Sequence, residues 1–252
     1  MVCDDATKGR TMTPQDIAVP MRFRFCKLGR LKYISHLDVN RTLQRALMRA
    51  KIPLRFTEGF NPHPRMVFAL PLAVGVESHC EYLDTVLSEA IDPDEAMRRL
   101  NRELPEELQI SETYTPCYPF KKIGWAGYEL TLEGRYSEDF SNRFGELLAA
   151  SPLAVVKRTK SGENETDISP YIRRAVVTAV DDANGVRSIR IAAVLCADNT
   201  NFLNPIYLVR AAERYLSMSS YGTDEPAGGS HMDLLNIKRN AVFLEDGVTE
   251  FR

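Results

Sequence analysis

The feature that most constrains this chain is a switch of hydrophobic period that is followed by a second, similar order of elements. Met21-Arg22-Phe23-Arg24-Phe25-Cys26-Lys27 alternates apolar with mostly basic residues, the two-residue period of a strand buried on one face. Leu37 to Lys51 changes to helical spacing, with Ser35 or His36 at its start. Strand-like runs then flank the Gly59-Phe60-Asn61-Pro62-His63-Pro64 loop, at Leu54 to Phe56 and Met66 to Leu70. Glu81 to Leu87 reads as a strand, Pro93 to Leu104 as a helix after Asp92, and Gln109 to Thr115 as a closing strand. That order, β-α-β-β-α-β, is the split βαβ pattern of ferredoxin-like domains.

A similar order returns after a Pro/Lys-rich joint at Pro116 to Lys122. Strands are expected at Gly127 to Leu132, Leu153 to Lys157, Ala175 to Val180, Ser188 to Leu195 and Ala241 to Glu245. Helices are expected at Ser137 to Ala150 and Pro205 to Leu216, with a polar loop from Ser217 to Gly229. A length of 252 residues suits two cores better than one. The expectation is therefore an α+β protein of two ferredoxin-like modules in tandem. A loose tail covers residues 1–19, a basic module 20–116, and a second module 123–252.

Charge is segregated along the chain. Arg22 to Arg65 holds eleven basic residues against Asp38 and Glu58, a net +9 in a chain whose total is −2, so the remainder carries −11. Such a division marks one region for an anionic partner. Within it Arg41, Arg45 and Arg49 recur at every fourth position, opposite Val39, Leu43, Ala46, Leu47 and Ala50. A stripe of guanidinium forks suits phosphate oxygens; it also solvates any amphipathic helix. Arg22, Arg24, Lys27, Arg30 and Lys32 on adjoining elements favour the binding reading.

Ser35 and Asp38 fit a helix N-cap and its dipole. His36, beside them, would tend to stay neutral and available as acceptor, base or ligand. In the following loop two prolines bracket His63 and hold the chain extended. Gly59 allows a tight turn, and Phe60 is either a stacking platform for a base or a core residue. The candidate binding residues are thus Arg22, Arg24, Lys32, Arg41, Arg45, Arg49, Phe60, Asn61 and Arg65. His36, His63 and Asp38 are the catalytic candidates, and the same three, with Glu58 or Glu77, form a remote metal alternative. Lys160-Ser161-Gly162-Glu163-Asn164-Glu165 reads as a hydrophilic hairpin tip rather than a phosphate cradle.

The five cysteines, Cys3, Cys26, Cys80, Cys117 and Cys196, are scattered and contain no C-x-x-C pair, which argues against a disulfide framework, a zinc ribbon or an iron–sulfur cluster. No cofactor is expected. No apolar run reaches the length needed to cross a bilayer, and the polar N-terminus lacks a signal-peptide core, so the expected location is the cytoplasm.

Several stretches resemble the radical SAM-linked proteins, a bacterial domain of unknown function found beside or fused to a radical SAM protein. They are Met21 to Phe25, Tyr33-Ile34-Ser35-His36-Leu37-Asp38, Arg45 to Ala50 and Glu58-Gly59-Phe60-Asn61-Pro62-His63-Pro64. Ala69-Leu70-Pro71-Leu72 and Gly75-Val76-Glu77-Ser78 continue the likeness. Looser echoes are Thr159 to Gly162, Asp167-Ile168 and Asp233 to Arg239. The resemblance implies a radical SAM protein as partner and carries no catalytic residue.

Three functions follow as expectations. The first is a non-catalytic accessory module that recognises RNA or another polyanion through its basic face. The second is an RNA-processing or phosphate-ester enzyme with His36 and His63 as acid and base. The third is a scaffold that docks an acidic protein.

Overall fold

The computed structural model describes residues 18–134, 139–159, 162–180, 187–198, 200–219 and 232–252. Fourteen strands and helices alternate along them. The first half runs β1 (Val19–Lys27), α1 (His36–Arg49), β2 (Met66–Phe68), β3 (Val76–Leu87), α2 (Pro93–Asn101) and β4 (Ile110–Tyr114). The second runs β5 (Ile123–Gly134), α3 (Phe140–Ala149), β6 (Ala154–Thr159), β7 (Gly162–Asp167), β8 (Ile172–Val180), β9 (Arg187–Cys196), α4 (Ile206–Ser219) and β10 (Met232–Leu244). The class is α+β, with a large, mostly antiparallel sheet.

The alternation in β1 decides what the first half buries. Met21, Phe23 and Phe25 turn inward with Leu83 and Leu87 of β3. Onto them α1 lays Val39, Leu43, Ala46 and Leu47, and α2 lays Ala96 and Leu100. These apolar positions recur at three- and four-residue steps, so each helix buries one stripe and leaves the other to solvent. Leu43 is fully buried, and truncating such a leucine to alanine costs about 2–5 kcal/mol. A second core gathers Phe140, Phe144 and Leu148 of α3, Leu208 and Ala212 of α4, and Leu130, Ile189 and Ile191 of the sheet.

The halves share one sheet. Its order is β4-β1-β3-β10-β5-β9-β8, with β2 also paired to β3, while β6 and β7 form a separate hairpin. The edge of β3 not taken by β1 is divided between two partners. Near its C-terminal end β2 runs antiparallel from Met66↔Thr85 to Phe68↔Leu83, and at its start β10 runs parallel from Ile237↔Val76 to Arg239↔Ser78. Two separate modules in tandem would leave that seam open; here β10 closes it, and antiparallel pairing carries on into β5.

Two differences from the sequence expectation follow from this seam. The last strand is thirteen residues long and not five, because Met232 to Asn240 gains partners in both halves. Likewise β3 begins at Val76 and not Glu81. Leu54 and Phe56 make only isolated bridges, to Leu87 and Pro64. Residues 1–17 of the expected tail lie outside the described residues, and Val19 already belongs to β1. Of the expected loop at 217–229, residues 217–219 complete α4 and the others lie outside the described residues. So do 160 and 161 of the expected hairpin tip, whereas Gly162 to Glu165 belong to β7 and pair with β6. No described helix is long and apolar enough to cross a membrane.

Candidate functional site

The basic segment divides between two faces of the sheet. Arg22 and Arg24 alternate with Phe23 and Phe25, so they point away from α1. Arg22 is fully buried. It grips Asp84 through Nε at 2.6 Å and Nη2 at 2.8 Å, donates to the Tyr118 carbonyl at 2.9 Å, and lies over the rings of Phe120 and Phe251. Arg24 pairs with Glu112 at 2.5 Å and Glu250 at 3.2 Å. Burial alone would lower its pKa, but Tyr82, Glu112 and Glu250 raise it further than that. Two of the expected polyanion contacts are therefore corrected. Arg22 is a sealed structural cation, and Arg24 is committed to two carboxylates. The charge count of the segment could not register Asp84, Glu112 and Glu250, because all three come from distant sequence.

Lys32 is committed as well. It donates to Asn236 at 3.4 Å and lies 3.9 Å from Glu77. Glu77 is the hub of this corner, accepting from Asn236 Nδ2 at 3.0 Å and the Gly29 amide at 3.1 Å, with Lys238 at 3.8 Å. Burial pushes its carboxyl up, yet Asn236, Lys32, Lys238 and Gly29 together hold it below the usual value. Two of the stretches behind the family resemblance, Gly75 to Ser78 and Asp233 to Arg239, meet here across the seam.

What remains exposed is the outer face of α1. Arg41 and Arg45 stand in solvent with Leu37 and Met48, and Gln44 lies between them. Arg41 has only Asp38 nearby, at 4.0 Å; among the described residues Arg45 makes no hydrogen bond or ion pair. Arg49 is tied to Glu103 by Nε at 2.7 Å and to its carbonyl at 3.0 Å. Ser35 and Asp38 form a capping box. The Ser35 hydroxyl accepts from the Asp38 amide at 3.2 Å, and Asp38 accepts from the Ser35 amide at 3.3 Å and hydroxyl at 2.6 Å. Those bonds hold the Asp38 carboxyl below its usual pKa. Asp38 is thus occupied with the helix start.

The Gly59–Pro64 loop is pinched at its base. The Thr57 amide donates to the His63 carbonyl at 2.8 Å, the His63 amide donates to Thr57 Oγ1 at 3.1 Å, and buried Pro64 bridges Phe56. Gly59, at φ 128° with open space where a Cβ would stand, makes the turn. The tip is left standing out. Phe60 is completely exposed, and Asn61, His63 and Arg65 are exposed with it.

His36 and His63 are not brought together. His36 meets the edge of Phe68 with ring centroids 5.0 Å apart, whereas His63 Nδ1 is 3.1 Å from Thr57 Oγ1 and 3.2 Å from the Asn61 carbonyl. Pro64 to Phe68 separates their neighbourhoods by about 13 Å of extended chain. Among the described residues no group of three or more His, Cys, Asp or Glu side chains stands where it could hold a metal ion.

His36 lies instead over a narrow cleft beneath the start of α1, lined also by Phe25, Lys27, Val39, Phe68, Leu72 and Glu81. Lys27 is 2% exposed and donates to the carbonyls of Lys32 at 3.3 Å and Ile34 at 3.0 Å. Beside it Arg239, 1% exposed, donates to Glu81 through Nε at 3.1 Å and Nη2, and to the Leu70 carbonyl at 2.9 Å. Sequence reasoning missed this cluster. Lys27 falls within the run of basic residues that the charge pattern assigns to the surface, and Glu81 and Arg239 are 158 positions apart. The only signal was a basic residue within the apolar alternation of each strand.

Over residues 21–205 the sequence matches the family described as an uncharacterized protein conserved in bacteria, DUF2344. The chain belongs to that family. The match spans β1 through the loop before α4, and so includes α1, the Phe60 loop and every residue that lines the cleft, while the neighbouring Arg239 lies beyond it. No curated protein matches the chain. Among solved structures, it is similar to an unknown protein from Galdieria sulphuraria, at 16% identity and a TM-score of 0.26, over 86% of this chain and 98% of that one.

Proposed function

We propose that this DUF2344 chain is a recognition module that binds single-stranded RNA through the outer face of α1 and the Phe60 loop. The reading rests on two lightly partnered cations on one helix face and on an aromatic ring in full solvent. Arg41 and Arg45 share one helix face, and Phe60 stands clear of the protein on a loop pinched by Thr57 and His63. Guanidiniums take phosphates without regard to sequence, and a base stacked on an exposed ring adds about 1–3 kcal/mol. Holding Phe60 out in water costs the free protein the burial of an aromatic side chain, which a stacked base restores.

We read the two halves as ferredoxin-like modules fused through β10, since each repeats the strand order fourth-first-third-second. On this reading the first module presents the RNA and the second supplies the strand that closes its edge. The radical SAM protein implied by the sequence resemblance is the enzyme to which the RNA would be presented.

The test is fluorescence anisotropy with a labelled single-stranded RNA and, in parallel, labelled polyglutamate. RNA binding that weakens on Phe60→Ala supports the proposal. Equal affinity for both polymers, unchanged by Phe60→Ala, identifies a docking face for acidic proteins instead.

A further inference from the structure

The cleft under α1 holds three polar groups whose bonding is incomplete. Lys27 Nζ has two acceptors, the carbonyls of Lys32 and Ile34. The third direction at Nζ has no bonded partner among the described residues. Burial draws this amine below its usual pKa; Glu81 opposes that and Arg239 adds to it. Glu81 is 6% exposed, and both of its bonds from Arg239 go to Oε1. Among the described residues Oε2 accepts none, and neither ring nitrogen of His36 is hydrogen-bonded. Lys27 and Glu81 both line the cleft yet form no ion pair within 4 Å.

The remaining walls are apolar, from Phe25, Val39, Phe68 and Leu72. The space is about 10 Å³, room for about one water-sized group. It opens past half-buried His36 and exposed Pro71. Its rim is held in an unusual conformation: Leu70 has φ 43°, a left-handed backbone that bulky residues avoid, and its carbonyl is fixed by Arg239.

We propose that this cleft is a covalent site for a small aldehyde or ketone, with Lys27 as the nucleophile and His36 and Glu81 as proton carriers. The Nζ lone pair adds to the carbonyl carbon, and the carbonyl π pair moves to oxygen. His36 passes the first Nζ proton to that oxygen, giving a carbinolamine. The second Nζ proton follows by way of Glu81 or His36, the C–O bond breaks, and water leaves. The products are an imine and one water, with no oxidant or reductant. A buried amine beside a second cation is the environment that activates a lysine for this chemistry.

The experiment treats the whole protein with acetaldehyde or glyoxylate in the presence of sodium cyanoborohydride, which fixes an imine as a stable secondary amine. Peptide mass mapping then follows each lysine. Lys27 is expected to be labelled at least about tenfold faster than exposed Lys51. His36→Asn should slow Lys27 by about tenfold or more while leaving Lys51 unchanged. Labelling confined to surface lysines would overturn the proposal, as would a Lys27 rate indifferent to His36. The wild-type measurement stands whether or not a variant folds, and its outcome does not depend on RNA binding.

Discussion

Glu81 of β3 accepts two hydrogen bonds from Arg239 of β10, and both side chains are sealed from solvent at the seam where the two halves share their sheet. The carboxylate keeps Arg239 protonated, raising its pKa against the opposing effect of burial. Removing one partner leaves a buried charge uncompensated, which costs about 3–5 kcal/mol. Glu81→Gln and Arg239→Met should each lower stability by that amount in urea unfolding. A loss below about 1 kcal/mol would mean that water reaches the seam.

Acid should loosen the same seam through Glu77. Its folded carboxyl lies below the ordinary value, so its contribution is fully present above the unfolded pKa of about 4.3 and is lost as pH falls through the folded pKa. Stability should therefore decline on acidification below that range, and Glu77→Gln should flatten the decline. Denaturant midpoints measured across the acid range check both.

The capping box gives a third expectation. Ser35→Ala removes the acceptor for the Asp38 amide, and loss of such a cap costs about 1 kcal/mol. Amide exchange should quicken in the first turn of α1, with the β5–β9 pairing unaffected.

Phe60 separates binding from stability. It touches no core, so Phe60→Ser should change stability by less than about 0.5 kcal/mol. The same substitution should weaken single-stranded RNA binding by about 1–3 kcal/mol. Arg22→Met should do the opposite, destabilising the fold while leaving the affinity of the folded protein intact.

Local pattern explains what could be read from the sequence. The alternation of Met21 to Lys27, the stripe Val39-Leu43-Ala46-Leu47 and the Ser35/Asp38 cap are short-range signals, and each gave its element nearly the right bounds. Charge was misread because it is not local. Arg22 and Arg24 belong to the same run as Arg41 and Arg45, yet the two-residue period of β1 sends them to the opposite face, where Asp84, Glu112 and Glu250 meet them. The long β10 escaped notice because Asp233 to Asn240 is mostly polar. Its pairing with β3 is set by partners such as Glu77 and Glu81, more than 150 positions away. The cleft formed by Lys27, His36 and Glu81 escaped for the same reason.

The most direct test of RNA recognition by α1 is the salt dependence of binding. Each phosphate contact to a single strand contributes about 0.7 to the slope of log affinity against log salt. Single-stranded RNA should bind the wild-type protein with a steep negative slope, and Arg41→Ala/Arg45→Ala should reduce that slope by about 1.4. An identical slope and affinity in the double variant would contradict the account.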